Sequence, residues 1–538
     1  MTITRRQFLA TTAAGSALAA MSGAGFNVLA QQASDTITVA FAARSPVALN
    51  PQFPATLGAD NWVSAQIYDT LVKTPDGRWA TKPDEFLPGL AESWQASEDQ
   101  KTWTYKLRSA KFHKDYGEVT ADDVVFSIGR HLDPKINTQF KPYYKNVAAV
   151  EAPDPKTVVF KLKQPDPLLN ASVVSLLASA VLCKKAFEEK GDKAFNLDPI
   201  GSGPYQVDKI DGEGTVILKA VPDYFGGPAV TPNVHVRYIA DTTARTLAFA
   251  SGDVDMIEGV RTPGWIDSMK QQSEATIFDA TAPGSINTLS INLAKGPLAD
   301  IRVRQAIRYA MDTDAIASAF GGIAAPMVGI VAKQFPGSLS QDQLPEDIRY
   351  TYNPDKAKEL LTAAGHPDGL TIPCFISQRE DYAAIMLMVQ EQLRAVNINL
   401  DMKLIDHATF HADSRKDTNT LILQSTSYPP VATLPISNLL AKSGDVKPDG
   451  SGGTDFSHYG VAIPGIDDLL DKALGTADFN ERMKVIQEIE TQTLKDLPII
   501  GVITLSYVVA RNPRLDLGYK VESGPAYWPL RLAKRTAA

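Results

Sequence analysis

Arg379 is the residue whose type and position most directly suggest ligand chemistry. It lies in segment 376–382, between a predicted strand and a predicted helix. A guanidinium at such a turn can grip a carboxylate through two parallel hydrogen bonds. The alternative is that Arg379 pairs with Glu380 or Asp381 on the surface. The position therefore predicts either an anion-binding group or a local ion pair.

Segment 424–434 supplies hydroxyl groups but no carboxylate. Ser425, Thr426 and Tyr428 can donate and accept hydrogen bonds. The sequence has no acidic residue between Asp417 and Asp445. Because a buried ammonium group without a counter-charge is costly, this segment favours a neutral polyol, an amide or a hydroxylated acid over a peptide with a free amine.

His407 and His411 are four residues apart, which is the spacing of two metal ligands on one face of a helix. No Glu lies between them, and Asp406 is placed to cap the helix. We therefore expect an ordinary surface helix here and no metal site.

Sequence motifs of enzymes with bound cofactors are missing. The chain contains no G-x-x-x-x-G-K-[ST], no G-x-G-x-x-G, no G-x-S-x-G and no Cys-x-x-Cys. We therefore expect no cofactor and no catalysis. The alternative to a protein without catalysis is an enzyme that is exported in folded form.

Composition indicates a multidomain globular protein. At 538 residues the chain is too long for one core, so two or three domains are expected. Residues 1–30 contain two Arg and no acidic residue, which leaves 51 basic and 61 acidic residues, a net charge of −10, after this segment is removed. This negative balance argues against nucleic acid or anionic lipid as partner.

The N-terminus has the features of an export signal. Segment 4–9, Thr-Arg-Arg-Gln-Phe-Leu, has a twin-arginine pattern and precedes a weakly apolar stretch over 10–25. Small residues at Val28 and Ala30 predict cleavage after Ala30. No Cys lies nearby for a lipid anchor, and the stretch is too short and too polar to span a bilayer, for which roughly 20 apolar residues are needed. We expect a free periplasmic protein. A disordered basic start and a short membrane helix are the alternatives.

Two cysteines, Cys183 and Cys374, each lie in an apolar segment. Pairing is possible in an oxidising compartment. Because free Cys is among the most buried residue types, we expect two buried free thiols.

The elements that position these groups alternate between strands and helices, which predicts α/β layering. Asp300 and Asn353 are expected to cap helices. Turn 201–204 is expected to be structural because Gly supplies the backbone angles that tight turns need. The predicted strands are 36–41, 101–107, 157–162 and 398–404, and the predicted helices are 61–71, 301–320, 354–364 and 382–396.

Six segments, taken in order, resemble the large peptide- and nickel-type extracytoplasmic substrate-binding proteins of ABC importers. They are 91–94 with 103–108, 111–113, 120–127, 199–205 and 300–306. The resemblance implies an α/β, class II periplasmic-binding-protein-like fold, in which two ligand-clasping lobes are joined by a hinge and a third lobe is added. It also implies a monomer that captures a small solute and delivers it to a membrane permease. The implied lobes are 31–73, 198–287 and 498–538 for lobe one, 74–197 for lobe two and 288–497 for lobe three.

The same resemblance implies further ligand contacts. Relatives line the cleft with the first loop and the next helix, here Ser45, Asn61 and Trp62, although Trp62 can equally pack in the lobe interface. Ser285 and Tyr459 lie near the implied hinge and can add contacts. An Arg at the position of Arg379 holds a carboxylate in dipeptide-binding relatives. Their segment matching 424–434 usually carries a Trp and an Asp for the ligand ammonium, and this chain has neither. The ligand classes implied are peptide-like, opine-like and sugar-acid solutes.

Overall fold

A computed structural model describes residues 35–536, except 57, 213, 417, 443–462 and 526–527. The predicted signal segment 1–30 and Tyr459 lie outside the described residues, and those two predictions stay predictions. Among the described residues, no helix is long and apolar enough to cross a membrane.

The strands build one large sheet and several small ones. The nine-stranded sheet has the order β16-β12-β17-β11-β1-β10-β9-β8 with β13 added on β17, and a four-stranded sheet has the order β4-β5-β7-β6. The strands are β1 (Thr36–Phe41), β2 (Val72–Lys73), β3 (Leu87–Pro88), β4 (Ala91–Ala96), β5 (Thr102–Leu107), β6 (Val147–Asp154), β7 (Thr157–Leu162), β8 (Tyr205–Ile210), β9 (Val216–Ala220), β10 (Asn233–Tyr238), β11 (Met256–Glu258), β12 (Ile277–Ile291), β13 (Ala324–Pro326), β14 (Leu370–Ser377), β15 (Ile398–Ile405), β16 (Leu421–Thr426), β17 (Ile499–Arg511), β18 (Leu515–Asp516) and β19 (Lys534–Arg535).

The helices pack on both sides of these sheets. They are α1 (Gly58–Ile67), α2 (Ala121–Leu132), α3 (Lys184–Phe195), α4 (Thr242–Ala250), α5 (Trp265–Gln272), α6 (Ile301–Ala310), α7 (Thr313–Ser318), α8 (Pro354–Ala363), α9 (Glu380–Arg394), α10 (His407–Ser414), α11 (Thr433–Leu439), α12 (Ile466–Gly475) and α13 (Phe479–Asp496). The mixture of strands and helices agrees with the predicted α/β layering.

Two long strands connect the halves of the large sheet. β12 and β17 pair with each other, β17 also pairs with β11 at one end, and β12 pairs with β16 at the other. The β12–β17 ladder is irregular between Thr281 and Ser285, where the register shifts. These two strands therefore join the part of the sheet that contains β11 to the part that contains β16. The predicted lobe boundaries stay a prediction.

The predicted helix over 301–320 is wrong, because two helices occupy this stretch. Met311 has an extended backbone, and the Asp312 side chain accepts a hydrogen bond from the Ala315 amide, which starts α7. The Gln392 side chain binds the backbone N–H and C=O of Asp312 at 2.9 and 3.2 Å. A neighbouring helix thus satisfies the backbone groups at the break, which no local pattern reveals.

The predicted caps and the predicted state of the thiols are confirmed. Asp300 and Asn353 accept hydrogen bonds from the Arg302 and Lys356 amides. Cys183 and Cys374 are buried free thiols. The other predicted elements differ from the observed ones by at most four residues at an end.

Turn 201–204 is structural for a different reason from the predicted one. Gly201 and Gly203 are not among the glycines with positive φ. A Cβ on Gly201 would instead collide with the carbonyl oxygen of Ile67, and the Gly203 amide donates to the same oxygen at 3.0 Å. These glycines therefore provide space for the last turn of α1 rather than an unusual backbone angle.

Glu490 makes the stability of the fold depend on pH. Its carboxylate is fully buried in α13 and accepts hydrogen bonds from the Ile330 and Val331 amides, each at 3.2 Å. Burial raises the pKa of Glu490 from 4.5 to about 7, although the two amide bonds act in the opposite direction. The folded protein thus binds this proton more tightly than the unfolded chain does, so its stability falls as the pH rises from 4.5 through 7.

We expect Glu490→Gln to remove this part of the pH dependence. Between pH 5 and pH 8 the wild-type protein should lose up to about 3 kcal/mol of unfolding free energy relative to the variant, at about 1.4 kcal/mol per unit of pKa shift. Chemical denaturation of both proteins at the two pH values checks this difference. Parallel pH profiles would contradict the assignment to Glu490.

Candidate functional site

A cavity of about 550 Å³ opens between elements that are distant in the sequence. Its walls come from the regions around 58–79, 140–178, 258–261, 427–429, 507–525 and 528–531. Small-molecule sites are clefts of about this size, with apolar and aromatic walls and a few fixed polar groups. Aromatic side chains provide much of the wall, namely Phe41, Tyr68, Trp79, Phe140, Tyr143, Tyr224, Tyr428, Tyr507, Tyr519 and Trp528.

Arg261 is a fixed cationic group in the cavity wall. It follows β11, and its side chain is 16% exposed. One Nη donates to Ser285 Oγ at 3.1 Å and to the Leu505 carbonyl at 3.4 Å, and the other Nη lies 3.4 Å from Asp381 Oδ2. The guanidinium also lies over the Tyr507 ring, 4.7 Å from its centre. These contacts use at most three of the five guanidinium N–H groups and hold its plane in place, which leaves donors for a ligand.

Asp381 joins Arg261 to Arg379. The Arg379 guanidinium binds both Asp381 oxygens, at 2.7 and 2.5 Å. Burial raises the pKa of the Asp381 carboxyl, but its bond to Arg379 and the charges of Arg379 and Arg261 outweigh this, and the net pKa lies below its usual value. Asp381 is therefore ionised and balances one of the two guanidinium charges, so the cluster keeps a net positive charge.

A second polar group stands at another part of the wall. Lys73 forms an ion pair with Asp69 and donates to Tyr224 at 2.6 Å, and the Tyr224 hydroxyl donates to Asp69 Oδ1 at 3.0 Å. The other carboxylate oxygen of Asp69 is buried and has no hydrogen-bond partner. An acceptor in this state is stabilised by a hydroxyl or amine of a bound molecule.

The charges of the cavity wall nearly balance, with a small positive excess. Four basic side chains, Lys73, Arg78, Arg261 and Arg531, line it together with three acidic ones, Asp69, Asp76 and Glu258. Asp69 is neutralised by Lys73, and the Glu258 carboxylate accepts the Ala42 amide at 2.8 Å. The lining side chains thus include one more basic than acidic group, and Arg78 is itself paired with Glu85, 3.5 Å away and outside the lining.

The structure brings three of the predicted site residues together. Asn61 and Tyr428 line the cavity, and Ser285 is buried against Arg261. The Ser425 backbone pairs with Asn287 in the β12–β16 ladder, and its carbonyl accepts the Tyr382 hydroxyl at 3.3 Å. Ser425 is therefore close to the site but is not one of the residues that line the cavity.

Three others are placed away from the cavity wall. Ser45 is exposed on the loop after β1. Trp62 is fully buried, and its ring centre lies 4.8 Å from that of Phe41. This position agrees with the alternative that Trp62 packs against other side chains. Arg379 has a side chain that is 44% exposed and bound to Asp381, which is the local ion-pair alternative. Whether Arg379 also reaches a ligand stays a prediction.

Arg261, Asp69 and Lys73 did not emerge from the sequence as candidates. Arg261 carries the same signal as Arg379, because it lies in the loop that follows a strand, here β11, which ends at Glu258. The position after a strand does not show which of the two arginines faces the cavity, because that depends on the order of the strands in the sheet. Asp69 and Lys73 follow α1 as an ordinary i, i+4 pair of opposite charge, which is usually a surface feature.

His407 and His411 lie on α10, which Asp406 caps as predicted by accepting the Ala408 and Thr409 amides. Within the described parts of the chain, no three His, Cys, Asp or Glu side chains are grouped to hold a metal ion.

Comparison with known proteins gives a family and a fold. The model of the bacterial extracellular solute-binding proteins, family 5 Middle, matches residues 85–446. A dipeptide-binding protein of Escherichia coli (strain K12) is 30% identical over 354 residues, which are 61% of this chain and 63% of that protein. The alignment thus spans less than two thirds of this relative's length.

Two solved structures of opine-binding proteins are similar over nearly their whole length. MoaA of A. tumefacien R10, in complex with mannopinic acid, is 29% identical with a TM-score of 0.75, and the match covers 94% of this chain and 99% of that one. AgaA of the same source, in complex with agropinic acid, is 25% identical with a TM-score of 0.70, and the match covers 94% and 99%. These matches confirm the predicted α/β fold of the class II periplasmic-binding-protein type.

Proposed function

The chain belongs to the bacterial extracellular solute-binding proteins of family 5, and from this membership we propose that it is the solute-binding component of an ABC importer. It captures a small solute outside the cytoplasmic membrane and delivers it to the permease subunits. The twin-arginine pattern at 4–9 supports export to the periplasm. The protein works as a monomer without a cofactor, and it releases its ligand unchanged.

We propose an acid that also carries hydroxyl or amide groups, of the opine or sugar-acid kind, as the ligand. The observation that carries this is Arg261, a partly buried guanidinium that is fixed by three neighbours and faces the cavity. A preorganised guanidinium binds a carboxylate with little loss of side-chain entropy. Lys73, whose side chain is 35% exposed, and Asn61 line the cavity and offer partners for the polar remainder of such a molecule.

The missing acidic residue in 418–444 supports an acid over a simple peptide. Asp381, the carboxylate beside Arg261, is already bound to two arginines. A ligand ammonium at this place would compete with both guanidinium groups. The complexes of the two opine-binding relatives also support this ligand class, whereas the dipeptide-binding relative supports the peptide alternative.

Binding proceeds by closure of the proposed lobes about β12 and β17. The cavity wall contains residues of two proposed lobes, such as Asn61 of lobe one and Tyr428 of lobe three. A ligand that contacts both sides binds the closed form more tightly and shifts the open–closed equilibrium by that difference in affinity. The closed form then docks on the permease.

A thermal-shift screen of residues 31–538 tests the ligand class. The panel holds mannopinic acid, agropinic acid, sugar acids, dipeptides, glutathione and neutral sugars. A ligand at about 100 times its Kd stabilises the folded state by about 2.7 kcal/mol, which gives a clear shift. We expect the shift with opines or sugar acids. A shift confined to free-amine peptides would contradict the ligand class but not the binding function, and no shift with any compound would contradict both.

A further inference from the structure

Two histidine side chains on α10 point their Nε2 atoms at each other. His407 Nε2 and His411 Nε2 are 3.2 Å apart, and the rings meet edge to face with centres 4.5 Å apart. Both side chains are partly exposed, so an ion in solution can reach them. Neither residue lines the cavity described above.

The spacing in the sequence predicted an ordinary surface helix without a metal site; from the facing Nε2 atoms we propose instead that this pair binds a divalent transition-metal ion, with Cu²⁺ preferred, at a site separate from the solute cavity. Imidazole nitrogens bind such ions at about 2.0–2.1 Å, so two of them on one ion lie roughly 2.9 Å apart in a square-planar arrangement and roughly 3.3 Å apart in a tetrahedral one. The observed 3.2 Å falls between these values. An ion bonded to both nitrogens at this separation lies about 1.3 Å to the side of the line that joins them, so it can replace the shared proton once the two rings turn toward it.

Side chains behind the pair hold the first ring in the required orientation. His407 Nδ1 shares a hydrogen bond of 2.8 Å with Ser377 Oγ, and that hydroxyl also accepts the Arg379 amide at 3.1 Å. The ring lies edge to face against Tyr382, with centres 5.3 Å apart. The hydrogen bond between Nδ1 and the Ser377 hydroxyl holds the ring so that Nε2 can bind an ion. Histidines that bind metals commonly have such a hydrogen-bond partner on their other ring nitrogen.

The surroundings indicate an exchangeable site. Two imidazoles are the protein ligands, and water or a small chelating molecule fills the remaining positions. The nearby charges come from Arg379 and Arg415 on one side and from Asp381 and Asp406 on the other, so they roughly cancel. Selectivity then rests on the nitrogen ligands, which favour Cu²⁺ over Ni²⁺ and Zn²⁺ and do not hold Mg²⁺.

Titration of the mature chain, prepared without a histidine tag, with CuCl₂ tests the proposal. We expect one Cu²⁺ per chain and an electron paramagnetic resonance spectrum with coupling to two nitrogens. Ser377→Ala should weaken binding by about 10-fold or more, and His407→Ala and His411→Gln should weaken it further. His366→Ala is the matched control, because it removes a partly exposed histidine outside the pair, and it should bind as the wild type does.

The proposal and the solute site can fail independently. Arg261→Ala should keep wild-type Cu²⁺ binding. Equal Cu²⁺ affinity in the wild type and the folded His407→Ala/His411→Gln double variant would overturn the proposal. A wild-type spectrum without coupling to two nitrogens would also overturn it, and this result does not depend on how any variant folds.

Discussion

Arg261→Ala is expected to weaken the binding of an acidic ligand by about 2–5 kcal/mol, which is the usual loss when a buried charge pair loses one partner. The ligand carboxylate would remain desolvated in the cavity with its fixed donors removed. The loss corresponds to a Kd at least about 30-fold higher. Isothermal titration calorimetry with the ligand found in the screen measures it.

Arg379→Ala is the matched control, because Arg379 binds the same carboxylate, Asp381, and stands outside the cavity wall. We expect a much smaller loss of affinity for this variant. The loss of affinity for Arg261→Lys should lie between the losses for the two Ala variants, since an ammonium keeps the charge but lacks the planar pair of donors. A larger loss for Arg379→Ala than for Arg261→Ala would assign the carboxylate to Arg379 and contradict the role given to Arg261.

Asp166→Ala is expected to lower the unfolding free energy by about 3–5 kcal/mol, because it leaves a buried guanidinium without its counter-charge. Arg482 on α13 is 2% exposed, and its Nη1 lies 3.6 Å from Asp166 Oδ1. Asp166 also accepts the Leu168 amide and the Ser172 hydroxyl, at 2.9 and 3.0 Å. Burial raises the pKa of Asp166 and lowers that of Arg482, so each charged form depends on the other. Urea denaturation measures the change.

The double variant Asp166→Leu/Arg482→Met is the control for this pair. Replacing both charges with apolar side chains removes the desolvation cost together with the attraction, so we expect stability close to that of the wild type. If Asp166→Ala were within about 0.5 kcal/mol of the wild type, as surface substitutions are, the ion pair would not be important for stability.

Local elements were predictable from the sequence because their signals are local. The alternation over Thr36–Phe41 and the Asn353-Pro354 cap each act within a few residues, and the structure has the strand and the helix there. The break after Met311 was not predictable, because the Gln392 side chain that satisfies Asp312 comes from another helix.

The candidate site was predictable only in part, for the same reason. Asn61 and Ser285 were found through the family resemblance and Tyr428 through its hydroxyl group, and the structure places all three in or beside the cavity wall. Arg261 and Arg379 both follow strands, and only the folded structure shows that Arg261 lies against β12 and β17, where it binds Ser285 and Leu505. Contacts between distant strands decide which charges face a cavity, and composition and spacing do not encode them.

Equilibrium dialysis of residues 31–538 against the acidic ligands of the panel, followed by mass spectrometry of the bound fraction, tests the central claim most directly. A solute-binding protein should retain close to one molecule of one ligand class per chain and release it unchanged in mass. Retention of no ligand would contradict the binding function. Recovery of a chemically altered molecule would contradict it as well, because the protein would then be an enzyme.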